Sequence, residues 1–191
     1  RSVEFASKYQ MPLRVLSSFN KSGGTLITKE DNSLESAVIS GITCSNDDSK
    51  IILRNVPDTP GIAAKILSPI SEAGIDVDVI VQNVGSDKST DFTFTVKNDL
   101  SEKAAKILKD LTEGFGGGEV ELVKDVSKVS VVGVGMKSHA GVAAQMFGAL
   151  ANKKINIDMI STSEIKISVV VAKDKAEEAV IALHDEFELD K

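Results

Sequence analysis

Apolar and polar positions follow a strand-and-helix pattern in this chain, beginning with an apolar run at 50–56 that predicts a buried strand. The segment 57–61, Pro-Asp-Thr-Pro-Gly, breaks that run and predicts a helix start, with Asp58 or Thr59 as the cap. Apolar residues then recur at helical spacing until Gly74, which predicts the end of the helix. The remaining pattern predicts strands at 75–84, 92–96 and 119–123 and a helix at 101–111. The order of this unit is βαββαβ.

A second copy of the unit follows without gaps. Gly61 and Gly141, like Asp78 and Asp158, are identical residues at one constant offset (141 − 61 = 158 − 78 = 80). The second copy predicts strands at 129–134, 155–162 and 165–171 and helices at 138–153 and 175–187. It therefore lacks its last strand.

An upstream segment can supply that missing strand. Residues 36–44 are strand-like and belong to neither copy. Since an open sheet edge is a liability, we expect this segment to complete the second module, so that the first module is inserted into the second. Exchange of a strand between two chains is the alternative.

Composition excludes several classes of protein. The net charge is −6, with one Tyr and no Trp, which argues against a nucleic-acid surface. No apolar stretch approaches the roughly 20 residues that span a bilayer, so we expect no membrane partner. A single cysteine, Cys44, excludes an internal disulfide and a cysteine metal cluster, which fits a cytoplasmic protein. Cys44 is expected to point into a core, and Asp47 and Asp48 to lie on a solvated face.

Three short segments resemble one known family. They are Val79-Ile-Val-Gln-Asn-Val84, Gly135-Met-Lys-Ser-His-Ala-Gly141 and Ile160-Ser-Thr-Ser-Glu-Ile165. Together with the two repeats, they resemble the tandem ACT domains in the C-terminal regulatory region of aspartate kinase, over residues 37–191. Residues 3–19 resemble the last helix and strand of that family's kinase domain.

The resemblance implies a fold and a division of the chain. The fold is α+β, with two ferredoxin-like βαββαβ ACT domains, antiparallel sheets and helices on one face. Residues 1–35 are a kinase-domain remnant and linker, 36–47 the completing strand, 48–126 the first ACT domain and 127–191 the second.

Catalysis is not expected from this chain alone. The family's Lys-Phe-Gly-Gly nucleotide motif is absent, and so is a Gly-x-x-x-x-Gly-Lys phosphate loop. The resemblance therefore implies an ATP-dependent phosphotransferase whose catalytic residues lie elsewhere, with no cofactor or metal in this chain. ATP and magnesium belong to the missing kinase domain.

The first helix start has the chemistry of an amino-acid site. Unpaired N–H groups and the positive end of the helix dipole suit a carboxylate, and Gly61 permits close approach. Asp58 suits the ammonium group, and Gln82 offers a donor and an acceptor. By resemblance, the effector-binding residues are Asp58, Gly61, Ile62, Ala63, Gln82, Asn156 and Ile157. The structural alternatives are that Asp58 only caps the helix and that Gly61 only permits close packing.

A second site or a signal-transmitting segment is expected in the other copy, where Ser138-His-Ala-Gly141 replaces Asp58-Thr-Pro-Gly61. The matching acid is gone, and Glu164 is the nearby carboxylate for a lysine-like effector. The candidate residues are Met136, Ser138, His139, Gly141, Val142, Ser163 and Glu164. A histidine in the first turn of a helix is more often a plain surface residue than a ligand, and this is the alternative for His139.

The resulting hypothesis is feedback inhibition of aspartate kinase by L-threonine, L-lysine or both, through a population shift. Exposed strand edges at 79–84 predict a homodimer, and the aspartate kinase catalytic domain or subunit is the other partner. Two alternatives remain: a stand-alone ACT-type amino-acid-binding regulator, and a dimerisation subunit that binds nothing.

Overall fold

The computed structural model describes residues 2–20, 23–28, 39–85, 89–114, 118–133 and 141–190. The chain forms two compact units, Arg1–Ser36 and Ala37–Lys191. In the first unit, helix α1 (Ser2–Lys8) precedes strands β1 (Leu13–Val15) and β2 (Thr25–Ile27), which pair antiparallel. None of the residues of α1 is buried.

The second unit contains six strands and four α-helices among its described residues. In chain order they are β3 (Gly41–Pro57), α2 (Ile62–Glu72), β4 (Ile80–Val84), β5 (Ser89–Lys97), α3 (Asn98–Gly114), β6 (Glu119–Val132), α4 (Val142–Asn152), β7 (Met159–Thr162), β8 (Lys166–Ala172) and α5 (Ala176–Glu186). A 3-10 turn, Lys173–Lys175, leads into α5. The α+β class and the antiparallel sheet with helices are as predicted.

One six-stranded antiparallel sheet organises this unit, in the order β4-β5-β3-β6-β8-β7. The two central strands are long enough to serve both halves. The later part of β3 pairs with β5, and its first part, Gly41–Ser45, pairs with Lys128–Val132 of β6. Read from either edge, the two halves have the same arrangement of strands.

The pairing of β3 with β6 is symmetric about the Asp48–Val126 pair. In these two strands the offset between the copies is 78, two residues less than the 80 between Gly61 and Gly141. Moving each residue by 78 turns the pair Lys50–Val123 into Ser45–Lys128, which is also a pair (50 + 78 = 128; 123 − 78 = 45). The two register shifts flank Asp48 in the same way. The two halves of the sheet are therefore related by a pseudo-twofold axis through Asp48 and Val126.

Each half has its own apolar core beneath the helices. Ile51, Leu53 and Phe94 pack with Ile66 of α2 and Leu108 of α3 in the first core. The second core is built from equivalent strand positions and from α4 and α5, and includes Val129, Val131, Val169, Met146 and Leu183. Alternating inward residues on β3 and β6 thus place the helices of both halves against the same kind of sheet face.

The central strands run through polar segments where the sequence predicts a break. Residues 45–49 are polar, yet they remain in β3 because their side chains find partners across the sheet. Lys97 donates to Asp48 at 3.0 Å, and Ser127 donates to Asn46 at 2.7 Å. The expectation that Asp48 is solvated is wrong: it is 2% exposed. Cys44 is exposed rather than buried in a core, contrary to the prediction.

The second strand of each half is shorter than predicted. β4 begins at Ile80, although apolar residues alternate from Ile75 onward. The backbone bonds between Asp78, Val79 and Thr95 are present, but the Val79 N–H donates to the Thr95 hydroxyl at 3.1 Å, so the ladder is irregular here. The segment is therefore extended and half-buried without being a regular strand.

Candidate functional site

The turn before α2 presents a helix N-terminus in a left-handed conformation. Gly61 is the N-cap, with φ of 88°, and no side chain caps the helix. The prediction that Asp58 or Thr59 caps it is therefore wrong. The Thr59 carbonyl instead accepts the Ile62 N–H at 3.1 Å, so the turn is closed by backbone alone. Asp58 is exposed beside this turn, without a capping role.

Two first-turn amides remain for a ligand. The N–H groups of Ile62 and Lys65 donate to Thr59 and Gly61, whereas helix geometry gives those of Ala63 and Ala64 no acceptor within the helix. Ile62 itself is buried in the first core and fixes the position of the turn. The arrangement offers two aligned donors at the positive end of a helix dipole, which is suited to a carboxylate.

Gln82 lies on the edge strand β4 at the same end of the sheet. It pairs with Phe92, whose side chain is in the first core, so Gln82 points to the helix-bearing face. The row Val84–Thr90–Val56 crosses the sheet just before Asp58. With standard strand spacings, the Cα atom of Gln82 is roughly 12 Å from that of Val56, two strands away. The structure thus brings Asp58, Gly61 and Gln82 to one end of the sheet, with Gln82 on the face that carries the helices.

Asn156 and Ile157 lie elsewhere in this chain. They belong to the segment between α4 and β7, where Asn156 is exposed and donates to Asp158 at 3.5 Å. Ile157 packs against the second core and also borders a cavity of about 420 Å³, together with Val81 and Asn83 of β4. The structure therefore places Asn156 and Ile157 in the second half of the sheet, apart from the Gly61 turn of the first half.

The second predicted site is only partly described. Met136, Ser138 and His139 lie outside the described residues. Gly141 is the N-cap of α4, with φ of 107°, and Val142 is buried in the second core, so this helix start repeats the geometry of the first. Ser163 and Glu164 form the turn between β7 and β8, where the Ser163 N–H donates to Lys166 at 2.8 Å.

That turn lies at the end of β6 that leads to α4. The Gly133 N–H donates to the Ile165 carbonyl at 2.9 Å, and Thr162 pairs with Ile167, the neighbour of Val131. Ser163 and Glu164 are thus at the end of the second half that corresponds to Asp58 and Gln82 in the first.

Sequence reasoning missed the charged groups on the face opposite the helices. Lys50 and Arg54 of β3 line the 420 Å³ cavity with Asp91 and Asp158. Hydrogen bonding to Glu121, at 2.9 Å, raises the pKa of the Arg54 guanidinium above its ordinary value. The signal in the sequence is the alternation of Lys50, Ile52 and Arg54 with Ile51 and Leu53, which pack in the first core. The prediction of 50–56 as a uniformly apolar run passed over it.

Among the residues that the structure describes, no helix is long and apolar enough to cross a bilayer. No group of three or more His, Cys, Asp or Glu side chains there is placed to hold a metal ion.

Comparison with known proteins matches both halves to the same family. Residues 51–113 and 129–187 each match the ACT domain. An aspartate kinase of Pseudomonas fluorescens strain SBW25 is 56% identical over 191 residues, covering 100% of this chain and 46% of that protein. The chain thus spans about half the length of the curated relatives it matches.

Solved structures give the same result. The ligand-free regulatory subunit of aspartate kinase from Thermus thermophilus is 41% identical, with a TM-score of 0.75, covering 78% of this chain and 99% of that one. A structure of aspartokinase alpha and beta subunits contains a chain 42% identical, with a TM-score of 0.74 and the same two coverages.

Proposed function

Because the chain belongs to the aspartate kinase family, as its regulatory region of tandem ACT domains, we propose that it binds L-threonine, L-lysine or both and so mediates feedback inhibition of that enzyme. The observation that carries the proposal is the turn at Gly61. It leaves two helix amides exposed to a ligand, with Asp58 and Gln82 at the same end of the sheet.

The two ends of a free amino acid fit the two sides of this turn. The carboxylate accepts from the amides of Ala63 and Ala64, and Gly61 has no side chain to block its approach. The ammonium group lies beside Asp58, and Gln82 contacts the side chain or the remaining polar atoms of the ligand. Glu164 and Ser163 serve a second effector or transmit the signal.

Homodimerisation would complete the site. β4 and β7 are the two edges of the described sheet, so each has a free row of backbone groups. Asn156 and Ile157 belong to the other half of their own chain, since Ile157 packs against the second core whereas the Gly61 turn adjoins the first. Pairing between two chains through these edges brings the second half of one chain beside the first half of the other.

The domain arrangement is proposed to be an insertion. Pairing of Gly41–Ser45 with Lys128–Val132 supports a second ACT domain made of 36–47 and 127–191, with the first ACT domain, 48–126, inserted. Residues 1–35 are assigned to the end of a kinase domain and its linker. The catalytic domain or subunit is the partner that receives the signal, and ATP and magnesium bind there. Effector binding favours an inhibited arrangement of the ACT domains.

Calorimetric titration with L-threonine and L-lysine tests the effector. We expect at least one to bind, and Asp58→Ala to weaken binding at least about tenfold, as expected for loss of one charged hydrogen-bond partner. Asp99→Ala is the matched control, because Asp99 lies in the first turn of α3 and should leave binding unchanged.

The opposite results identify the alternatives. If neither amino acid gives heat or a thermal shift, the chain is a dimerisation element without an effector. If binding is equal in the Asp58→Ala variant, the effector is held elsewhere and the Gly61 turn is not its site.

A further inference from the structure

Two lysines are placed identically by the internal symmetry of the sheet. Lys50 of β3 and Lys128 of β6 are related by the repeat of 78 about the Asp48–Val126 pair. Each pairs within its own half with an equivalent residue, Lys50 with Thr95 and Lys128 with Val170. Both side chains project from the face opposite the helices, since their neighbours Ile51 and Val129 lie in the two helix-covered cores.

Each lysine forms an ion pair with an aspartate of the other half. Lys50 donates to Asp158 at 2.7 Å, and Lys128 donates to Asp78. The two aspartates are themselves equivalent in the repeat. The backbone N–H of Asp78 donates to Thr95 at 3.1 Å, and that of Asp158 donates to Val170 at 2.8 Å. Each aspartate is therefore tied to its own half by the backbone and to the opposite half by its carboxylate.

The lysine ends of the crossed pairs are sheltered from water. The side chains of Lys50 and Lys128 are 11% and 15% exposed, whereas those of Asp158 and Asp78 are 29% and 47% exposed. Beside them lies a small apolar cluster contributed by both halves, containing Val79, Met159, Val126 and Val170. Charges this close to apolar surface are screened less than surface pairs, and loss of one partner leaves the other poorly solvated.

The aspartates also stand next to the proposed effector residues. Asp158 follows Asn156 and Ile157, and Asp78 lies four residues before Gln82. Any shift of either segment on effector binding therefore moves a carboxylate that is held by the central strand of the other half.

We propose that Lys50 and Lys128 are positioning residues, which hold the segment before the second strand of the opposite ACT domain and couple the two domains reciprocally. The coupling consequence rests on the proposed effector function, whereas the positioning itself does not. Thermodynamic linkage requires this coupling to be reciprocal, because each domain must change the binding affinity of the other by the same factor.

Hydrogen exchange of the ligand-free chain tests the positioning without any effector. In the variant Lys50→Met, we expect the amides of Asp158 and Met159 to exchange at least about tenfold faster, because local opening of that segment becomes easier. Lys128→Met should do the same at Asp78 and Val79. Faster exchange in the opposite half is a result that local damage to a strand would not give.

Two control variants distinguish loss of positioning from general destabilisation of the fold. Lys124→Met removes an ion pair to Glu102 that is 51% and 73% exposed and lies within the first half, so exchange at Asp158 should not change. The exchanged pair Lys50→Asp with Asp158→Lys should restore protection. Unchanged exchange at Asp158 in Lys50→Met, or changes confined to β3, would overturn the positioning role.

The coupling is tested by titrating L-threonine and L-lysine into the same variants. We expect affinity to fall about fivefold or more in Lys50→Met and to recover in the exchanged pair, within the usual range of allosteric coupling. Equal affinity in the parent and in Lys50→Met would overturn the coupling. Failure of the parent chain to bind either amino acid would instead overturn the proposed function, and hydrogen exchange would still decide the positioning role.

Discussion

The two glycines that begin α2 and α4 allow one substitution to be compared at two equivalent positions. Gly61 and Gly141 have φ of 88° and 107°, and a Cβ atom at either would meet nothing within 4 Å. The cost of Gly→Ala is therefore conformational rather than steric. An L-residue in the left-handed region costs roughly 1–2 kcal/mol. We expect each variant to lose this stability, with a fall in Tm of about 2–8 °C for a unit of this size.

The two variants should lose similar stability but differ in their affinity for the effector. At Gly61 the added methyl group stands where the effector carboxylate approaches the helix amides, so L-threonine or L-lysine should bind at least about tenfold more weakly. Gly141→Ala should keep the affinity of the first site. Urea unfolding measures the stability and calorimetry the affinity. The reasoning is refuted if Gly61→Ala is as stable as the parent, or if it loses stability and binds the effector as tightly as Gly141→Ala does.

Two further predictions concern the core and the junction of the two halves. Leu108→Ala removes a fully buried side chain of α3 and should cost about 2–5 kcal/mol in urea unfolding. Ile181→Ala, on a residue 54% exposed in α5, should change stability by less than about 0.5 kcal/mol, and equal losses would contradict the assigned core. Partial burial, and then the charge of Asp48, raise the pKa of the Cys44 thiol, so less thiolate is present at pH 8. Asp48→Asn should lower that pKa and speed the reaction of Cys44 with a disulfide reagent at pH 8, whereas an unchanged rate would remove Asp48 as a cause.

Local pattern was sufficient for the helices and for the existence of two copies. Ile62, Ile66 and Ile70 recur at helical spacing and are all buried in α2, and Gly74 follows the helix end with φ of 73°. These features depend on contacts between residues near in sequence, which is why periodicity predicts them.

Features set by distant partners could not be predicted in the same way. Polar residues 45–49 lie between the predicted strand segments 36–44 and 50–56, but bonds from Lys97 and Ser127 keep them in one continuous strand. The candidate site shows the same limit. Asp58 and Gln82 were predicted to share one end of the sheet, and the strand register puts both there. The helix cap predicted at Asp58 or Thr59 is wrong, because the left-handed conformation of Gly61 sets the geometry of the turn. The crossed pairs of Lys50 and Lys128 join residues of opposite halves, which no local pattern encodes.

The pairing of Gly41 with Val132 has a consequence for how the chain acquires its fold during synthesis. Both strands that frame the first half, the later part of β3 and the early part of β6, emerge from the ribosome before α4 does. The first half can therefore close while the remainder is still being translated, because its contacts are complete by then. The second half must wait, with Gly41–Ser45 unpaired, until the chain has returned through β6. Its remaining strands and helices follow residue 126, so translation pauses after that residue should affect its yield more than that of the first half.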